Sequence, residues 1–212
     1  MQTDMTVGKP MKMLLNFTIP VFLGNVFQQL YSMAGAGIVG KFVGTKGLAA
    51  VGATGTITFL IIGFLMGLTT GFTVLTSQKF GAGRMDEMRK TVGNAAILSV
   101  VIAVVMTAVS MLGMHRLLVF MHTPEDIFDG AYGYIMIICA GIFTQVLYNL
   151  VSSILRALGN SKTPLYFLIL AAVLNIVLDL VFIIFFHWGA PGAAWATVVS
   201  QGVSGLLCLI YI

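Results

Sequence analysis

Charge is what this chain has least of. Only 8% of its 212 residues are Asp, Glu, Lys or Arg, against about 25% in soluble domains. With 58% of the residues hydrophobic and a mean hydropathy of +1.01, there is too little polar surface to cover a water-soluble core. Cysteine is nearly absent as well. Cys139 and Cys208 fall inside apolar runs, which excludes a disulfide framework and leaves them as small packing residues. No histidine stands inside an apolar run: His115, His122 and His187 lie at run ends or in loops. Gly202-Val-Ser-Gly205 has the Gly-x-Ser-Gly form of intramembrane serine proteases, yet no imidazole is available to activate the serine. Phosphate loops, zinc-protease motifs and paired carboxylates are missing too, and His115 and His122 have no companion ligands. Catalytic residues and an organic cofactor are therefore not expected, and the chain reads as a non-enzyme. A formal net charge of +4 is spread over the loops and makes no nucleic-acid-binding patch.

What is present is a set of apolar segments of membrane-spanning length, at about 13–40, 48–77, 92–113, 130–153, 165–186 and 194–212. They predict an all-α integral membrane protein with six transmembrane helices, multi-pass and without a cleavable signal, because the first run is too long for one. Turn chemistry separates the runs: Gly44-Thr-Lys-Gly47, Gly81-Ala-Gly83, Thr123-Pro124, Gly159 to Pro164, and Gly189-Ala-Pro-Gly192. With the N-terminus inside, the inner loops receive Lys9, Lys12, Lys79, Arg84, Arg89, Lys90, Arg156 and Lys162, and the outer ones only Lys41, Lys46 and Arg116. That bias predicts a cytoplasmic N-terminus. The last run, Leu206 to Ile212, stays apolar to its end without a basic anchor, which suggests a truncated chain whose continuation is missing.

Polar groups inside the runs carry the functional reading. Asp179 is a carboxylate in the middle of Leu165–Phe186, where an ionisable group costs roughly 2.5–3.5 kcal/mol to insert and usually faces a bundle interior or a wet cavity. A cation or proton pathway is the expectation; a structural polar clamp between helices is the alternative. Asn175 stands one turn earlier on the same face, where it can share a hydrogen bond or an ion with Asp179. Asn25, Gln28, Gln29 and Ser32 form a polar stripe on the first span, and Gln145, Tyr148, Asn149 and Ser152 one on the fourth. Lipid cannot satisfy those groups, so both stripes should face protein or a solute-binding cavity. Pro20 removes a backbone hydrogen bond within the first span and predicts a bend there. Gly63, Gly67 and Gly71 make one face of the second span flat enough for close contact with another helix.

Several stretches resemble the N-terminal half of bacterial multidrug and toxic compound extrusion (MATE) transporters. These are Phe27-Gln-Gln-Leu-Tyr31, Val39-Gly-Lys-Phe-Val-Gly44, Leu48-Ala-Ala-Val-Gly52, Leu155-Arg-Ala-Leu-Gly-Asn-Ser-Lys-Thr-Pro-Leu165 and Leu174-Asn-Ile-Val-Leu-Asp179. The resemblance implies one six-helix lobe of a twelve-helix antiporter in the bacterial cytoplasmic membrane, with membrane lipid around it. Such proteins export organic cations or amphipathic drugs in exchange for sodium ions or protons. It implies that Asp179, Asn175 and Thr197 form the cation or proton site, with sodium at Asp179 as the one metal to consider, and that a second lobe, either a missing C-terminal half or a second copy, completes the cavity. Thr197 has an alternative role, bonding a carbonyl one turn back on its own helix. One departure stands out: Gly35 occupies the place where the family usually carries a first-span acid. Two rivals remain, a lipid-precursor flippase of related architecture and a non-transporting scaffold. The flippase would call for basic side chains in its cavity, and none is expected within these spans.

Overall fold

The computed structural model describes residues 10–212, so that Lys9 lies outside the described residues. Long apolar runs broken by glycine turns form seven α-helices: α1 Pro10–Phe42, α2 Thr45–Gly81, α3 Met85–Phe120, α4 Glu125–Ala140, α5 Ile142–Ala157, α6 Lys162–Leu180 and α7 Gly189–Tyr211. A five-residue π-helical segment, Val181–Phe185, continues α6. The 33 residues of α1 extend about 50 Å at 1.5 Å per residue, more than the roughly 30 Å hydrocarbon core requires. α1 is thus long enough to cross that core with residues to spare. Gly44 at φ +92°, Gly83 at +72°, Gly159 at +78° and Gly189 at +62° make the sharp turns, in a backbone region that side-chain-bearing residues rarely enter.

The fourth span is not one helix. α4 and α5 meet at Gly141 with a bend of 46°, and no proline marks the place. Its cause is tertiary: a Cβ on Gly141 would stand 2.2 Å from Cγ2 of Val198, so the bare backbone lets α7 press into the joint. The Thr144 hydroxyl donates to the Gly141 carbonyl at 2.8 Å and satisfies part of the interrupted ladder. Pro20, by contrast, sits inside α1 without ending it.

α7 forms the centre, packed against α4, α5 and α6, while α1 lies along α6 and α3 lies outside α2, α4 and α5. Ile135, Ile138 and Ile142 from the broken span interlock with Ile57, Ile61 and Leu65 of α2 and with Leu118 of α3. Cys139 and Cys208 are free, buried packing residues. The most exposed apolar side chains, such as Leu112 of α3 at 84%, are suited to a lipid surround. The outer helices differ. α3 is the more apolar of the two, and α1 is the least buried of the membrane-length helices. Of the polar stripe on α1, Asn25, Gln29 and Ser32 are exposed and Gln28 is half-buried. The same holds for the glycines of α2. Gly63, Gly67 and Gly71 are exposed, and nothing lies within 4 Å of where a Cβ on any of them would stand. The close helix contact expected of that flat face is not made within the described residues, because the packed side of α2 is the one bearing Ile57, Ile61 and Leu65.

Candidate coupling site and inner cavity

Asp179 projects from the last turn of α6 into the seam with α1 and α7 and is 1% exposed. Its Oδ1 is buried without a hydrogen-bond partner. Opposite stands Gly35 of α1, where a Cβ would come within 3.1 Å of Asp179 Oδ2. The missing side chain thus leaves α1 close against the carboxylate. Asn175 is equally enclosed, but its amide turns elsewhere: Nδ2 donates to Thr197 Oγ1 at 3.3 Å, and that hydroxyl donates to the Ala193 carbonyl at 3.0 Å. Among the described residues no hydrogen bond joins Asn175 to Asp179. The back-bond on α7 fixes the Thr197 hydroxyl as an acceptor for Asn175, so the two residues brace α6 against α7 beside an unbonded carboxylate. Tyr31 and Tyr134 stand within electrostatic reach of Asp179, and Gln201 Nε2 donates to the Tyr31 hydroxyl at 3.4 Å. Those three were not singled out from the sequence. The signal for Tyr31 was there, at the end of the polar stripe on α1.

A separate cavity of about 880 Å³ opens between α1, α2, α5 and the start of α6. Its wall takes Pro20, Asn25 and Gln28 from α1, Tyr148, Asn149 and Arg156 from α5, and Thr69, Thr70 and Thr73 from α2. The Tyr148 hydroxyl donates to the Pro164 carbonyl at 3.2 Å and Asn149 Nδ2 to the Gln145 carbonyl at 2.8 Å. Two residues expected on this wall are not there. Gln29 is exposed on a neighbouring face of α1, and Gln145 is buried behind the wall, since α5 turns its side chain away after the bend at Gly141. Asp179, Asn175 and Thr197 also lie off the wall. The expectation that no basic side chain enters the cavity fails at Arg156. α5 continues past the apolar run to Ala157, held by the buried Leu155 and Ala157, and only then turns at Gly159.

Ser204, the serine of the protease-like motif, donates to the Phe167 carbonyl at 2.9 Å, and Gly205 approaches the backbone nitrogen of Tyr148 so closely that a Cβ would stand 3.2 Å from it. That motif serves α7 packing. His115 lies edge-on to Phe128 and Tyr132, and among the described residues no three His, Cys, Asp or Glu side chains gather as a metal site.

Membrane-length helices around a buried carboxylate, with a cavity of mixed polar and apolar lining alongside, place this bundle among multi-pass membrane folds of the kind that transporters use. The model of the MatE family matches residues 20–181, and the chain belongs to that family. It is 34% identical over 209 residues to the probable multidrug resistance protein YpnP of Bacillus subtilis, covering 99% of this chain and 47% of that one. The FAD transporter of Shewanella oneidensis is 26% identical over 207 residues, covering 94% and 46%. A structure described as the outward-facing conformation of a multidrug resistance MATE family transporter of the MOP superfamily superposes with a TM-score of 0.91 at 29% identity, over 96% of this chain and 45% of that one. The chain thus spans about half the length of the relatives it matches.

Proposed function

We propose that this chain is the N-terminal lobe of a secondary active antiporter in the bacterial cytoplasmic membrane, with its N-terminus in the cytoplasm. It exports organic cations or other amphipathic compounds in exchange for sodium ions or protons, by alternating access. The observation that carries this reading is the buried, unbonded Oδ1 of Asp179. A bare carboxylate so far from water is stable only with a proton or a cation on it, and loading from one side with release to the other couples an ion gradient to movement. Asn175 and Thr197, already braced together, supply neutral oxygens beside it. A second six-helix lobe would cover the polar face that α1 leaves open, which fits the double length of the relatives. A lipid-precursor flippase is the second reading, favoured by Arg156 on the cavity wall.

Asp179→Asn keeps the shape of the side chain and removes its charge. In liposomes holding the chain together with a second lobe, it should abolish sodium- or proton-driven efflux while leaving insertion and helix content intact. Unchanged efflux at limiting gradients would sink the assignment.

A further inference from the structure

The charge on the cavity wall points to a substrate class. Among the described residues, Arg156 is the one formally charged side chain lining the 880 Å³ cavity. Its Nε donates to the Ser152 carbonyl at 3.2 Å, which leaves the two terminal nitrogens and about four N–H donors for something else. Among the described residues, the ion pairs are Lys46 with Asp126, and Lys79 and Arg84 with Glu87; no carboxylate pairs with Arg156. An unpaired guanidinium at the edge of a membrane is costly to desolvate, and it recognises phosphate or carboxylate with paired, planar hydrogen bonds. On the same face of α5, Asn149 and Ser153 precede it by seven and three residues, so an amide and a hydroxyl flank the charge. Apolar side chains, Phe17, Met66, Phe80 and Met85, line other parts of the wall. A cavity with one positive group, neutral hydrogen-bonding neighbours and apolar walls suits an amphipathic anion of drug-like size. Among the described residues an organic cation would meet no acid on that wall and one like charge, so of the compounds proposed above the cavity favours amphipathic ones that carry an anionic group.

We propose that the inner cavity binds the anionic group of an amphipathic phosphate or carboxylate through Arg156, separately from the ion held at Asp179. This rests on the transporter reading only for its consequence, since binding can be measured without transport. The cavity then holds substrate by charge opposite to that of the coupling ion, and occupancy of one site need not exclude the other.

The test uses the whole chain in nanodiscs of neutral phosphatidylcholine, with empty discs subtracted for partition into lipid. Radiolabelled dodecyl phosphate should bind at least about tenfold more tightly than dodecyltrimethylammonium, and raising the salt from low to high should weaken the anion alone. Arg156→Gln should erase that preference and Arg156→Lys should restore part of it, because the ammonium keeps the charge but not the planar fork. Inorganic phosphate should displace dodecyl phosphate poorly, and discs containing phosphatidylglycerol should compete for the site if a lipid headgroup is its natural occupant and leave it free if the occupant is a soluble amphipath. Should Arg156→Gln fail to fold, the unmutated chain still decides: dodecyl phosphate should shield Arg156 from phenylglyoxal, read by mass spectrometry, while Arg84 and Arg116 stay reactive. Equal or tighter binding of the cation, an anion preference that survives in a folded Arg156→Gln, or an unshielded Arg156 would overturn the proposal. None of these results bears on whether Asp179 couples an ion, so the two readings fail independently.

Discussion

Asp179 and Arg156 are opposite charges in one bundle, and they are housed in opposite ways. The carboxylate is enclosed at 1% exposure against a glycine, with one oxygen unbonded, and lies off the wall of the 880 Å³ cavity. The guanidinium has space, on the wall of an 880 Å³ cavity, and one of its nitrogens is tied to the backbone carbonyl of its own helix. A closed site around a small charge suits a bare ion or a proton, whereas an open one beside aromatic and thioether side chains suits a larger molecule. The separation itself is informative, since neither charge neutralises the other and each leaves a demand that a ligand can meet.

The largest effect expected on this contrast comes from Asp179→Asn. It should remove saturable sodium or proton binding altogether and leave dodecyl phosphate affinity within about twofold, because the carboxylate is not on the cavity wall. Loss of both activities in a folded variant would mean that the two sites are one. Next comes Gly35→Asp, which places a second acid where a Cβ already approaches Asp179 Oδ2 to 3.1 Å. Two carboxylates at that range repel when both are ionised and share a proton, and a bound cation relieves the repulsion. Sodium binding should tighten, and an added proton should be released with each sodium bound near neutral pH. Superimposable sodium and proton profiles for the folded variant and the original chain would show that Gly35 is not beside the ion.

Thr197→Val tests the brace on a smaller scale. It leaves the Asn175 amide buried without its acceptor, so thermal unfolding in detergent should register a loss of about 1–3 kcal/mol; an unchanged midpoint would show that the 3.3 Å contact contributes nothing. The smallest effect is assigned to Gly67→Ala. A Cβ there meets open space, and the unfolding free energy of this chain should hold or rise by up to about 1 kcal/mol from helix propensity. A marked fall would reveal a contact on the exposed face of α2.

How much of this was legible in the sequence depends on the kind of interaction. Asp179 and Asn175 were legible because a charge or an amide within an apolar run conflicts with its surroundings over a few residues, wherever the helices lie. Gly63, Gly67 and Gly71 have the spacing of a packing face, but spacing does not say which side of a helix meets another, and the packed side of α2 is a different one. Arg156 reads as a loop residue in the sequence because the apolar run stops before it, whereas α5 goes on for another turn under the hold of Leu155 and Ala157. The joint at Gly141 had no local signal either, since the bend belongs to the approach of Val198 from another helix.

The sequence alone is enough to mark membrane-length helices, the turns between them and a carboxylate inside an apolar run, because hydropathy and the demand for internal backbone hydrogen bonding act along a single segment. That Gly35 faces Asp179, that Asn175 turns to Thr197, and that Arg156 borders a cavity whose wall excludes Asp179 comes from the assembled helices. Those relations depend on how helices from distant parts of the chain rotate and approach, and that is set by packing of small and branched side chains across seams that no single segment contains.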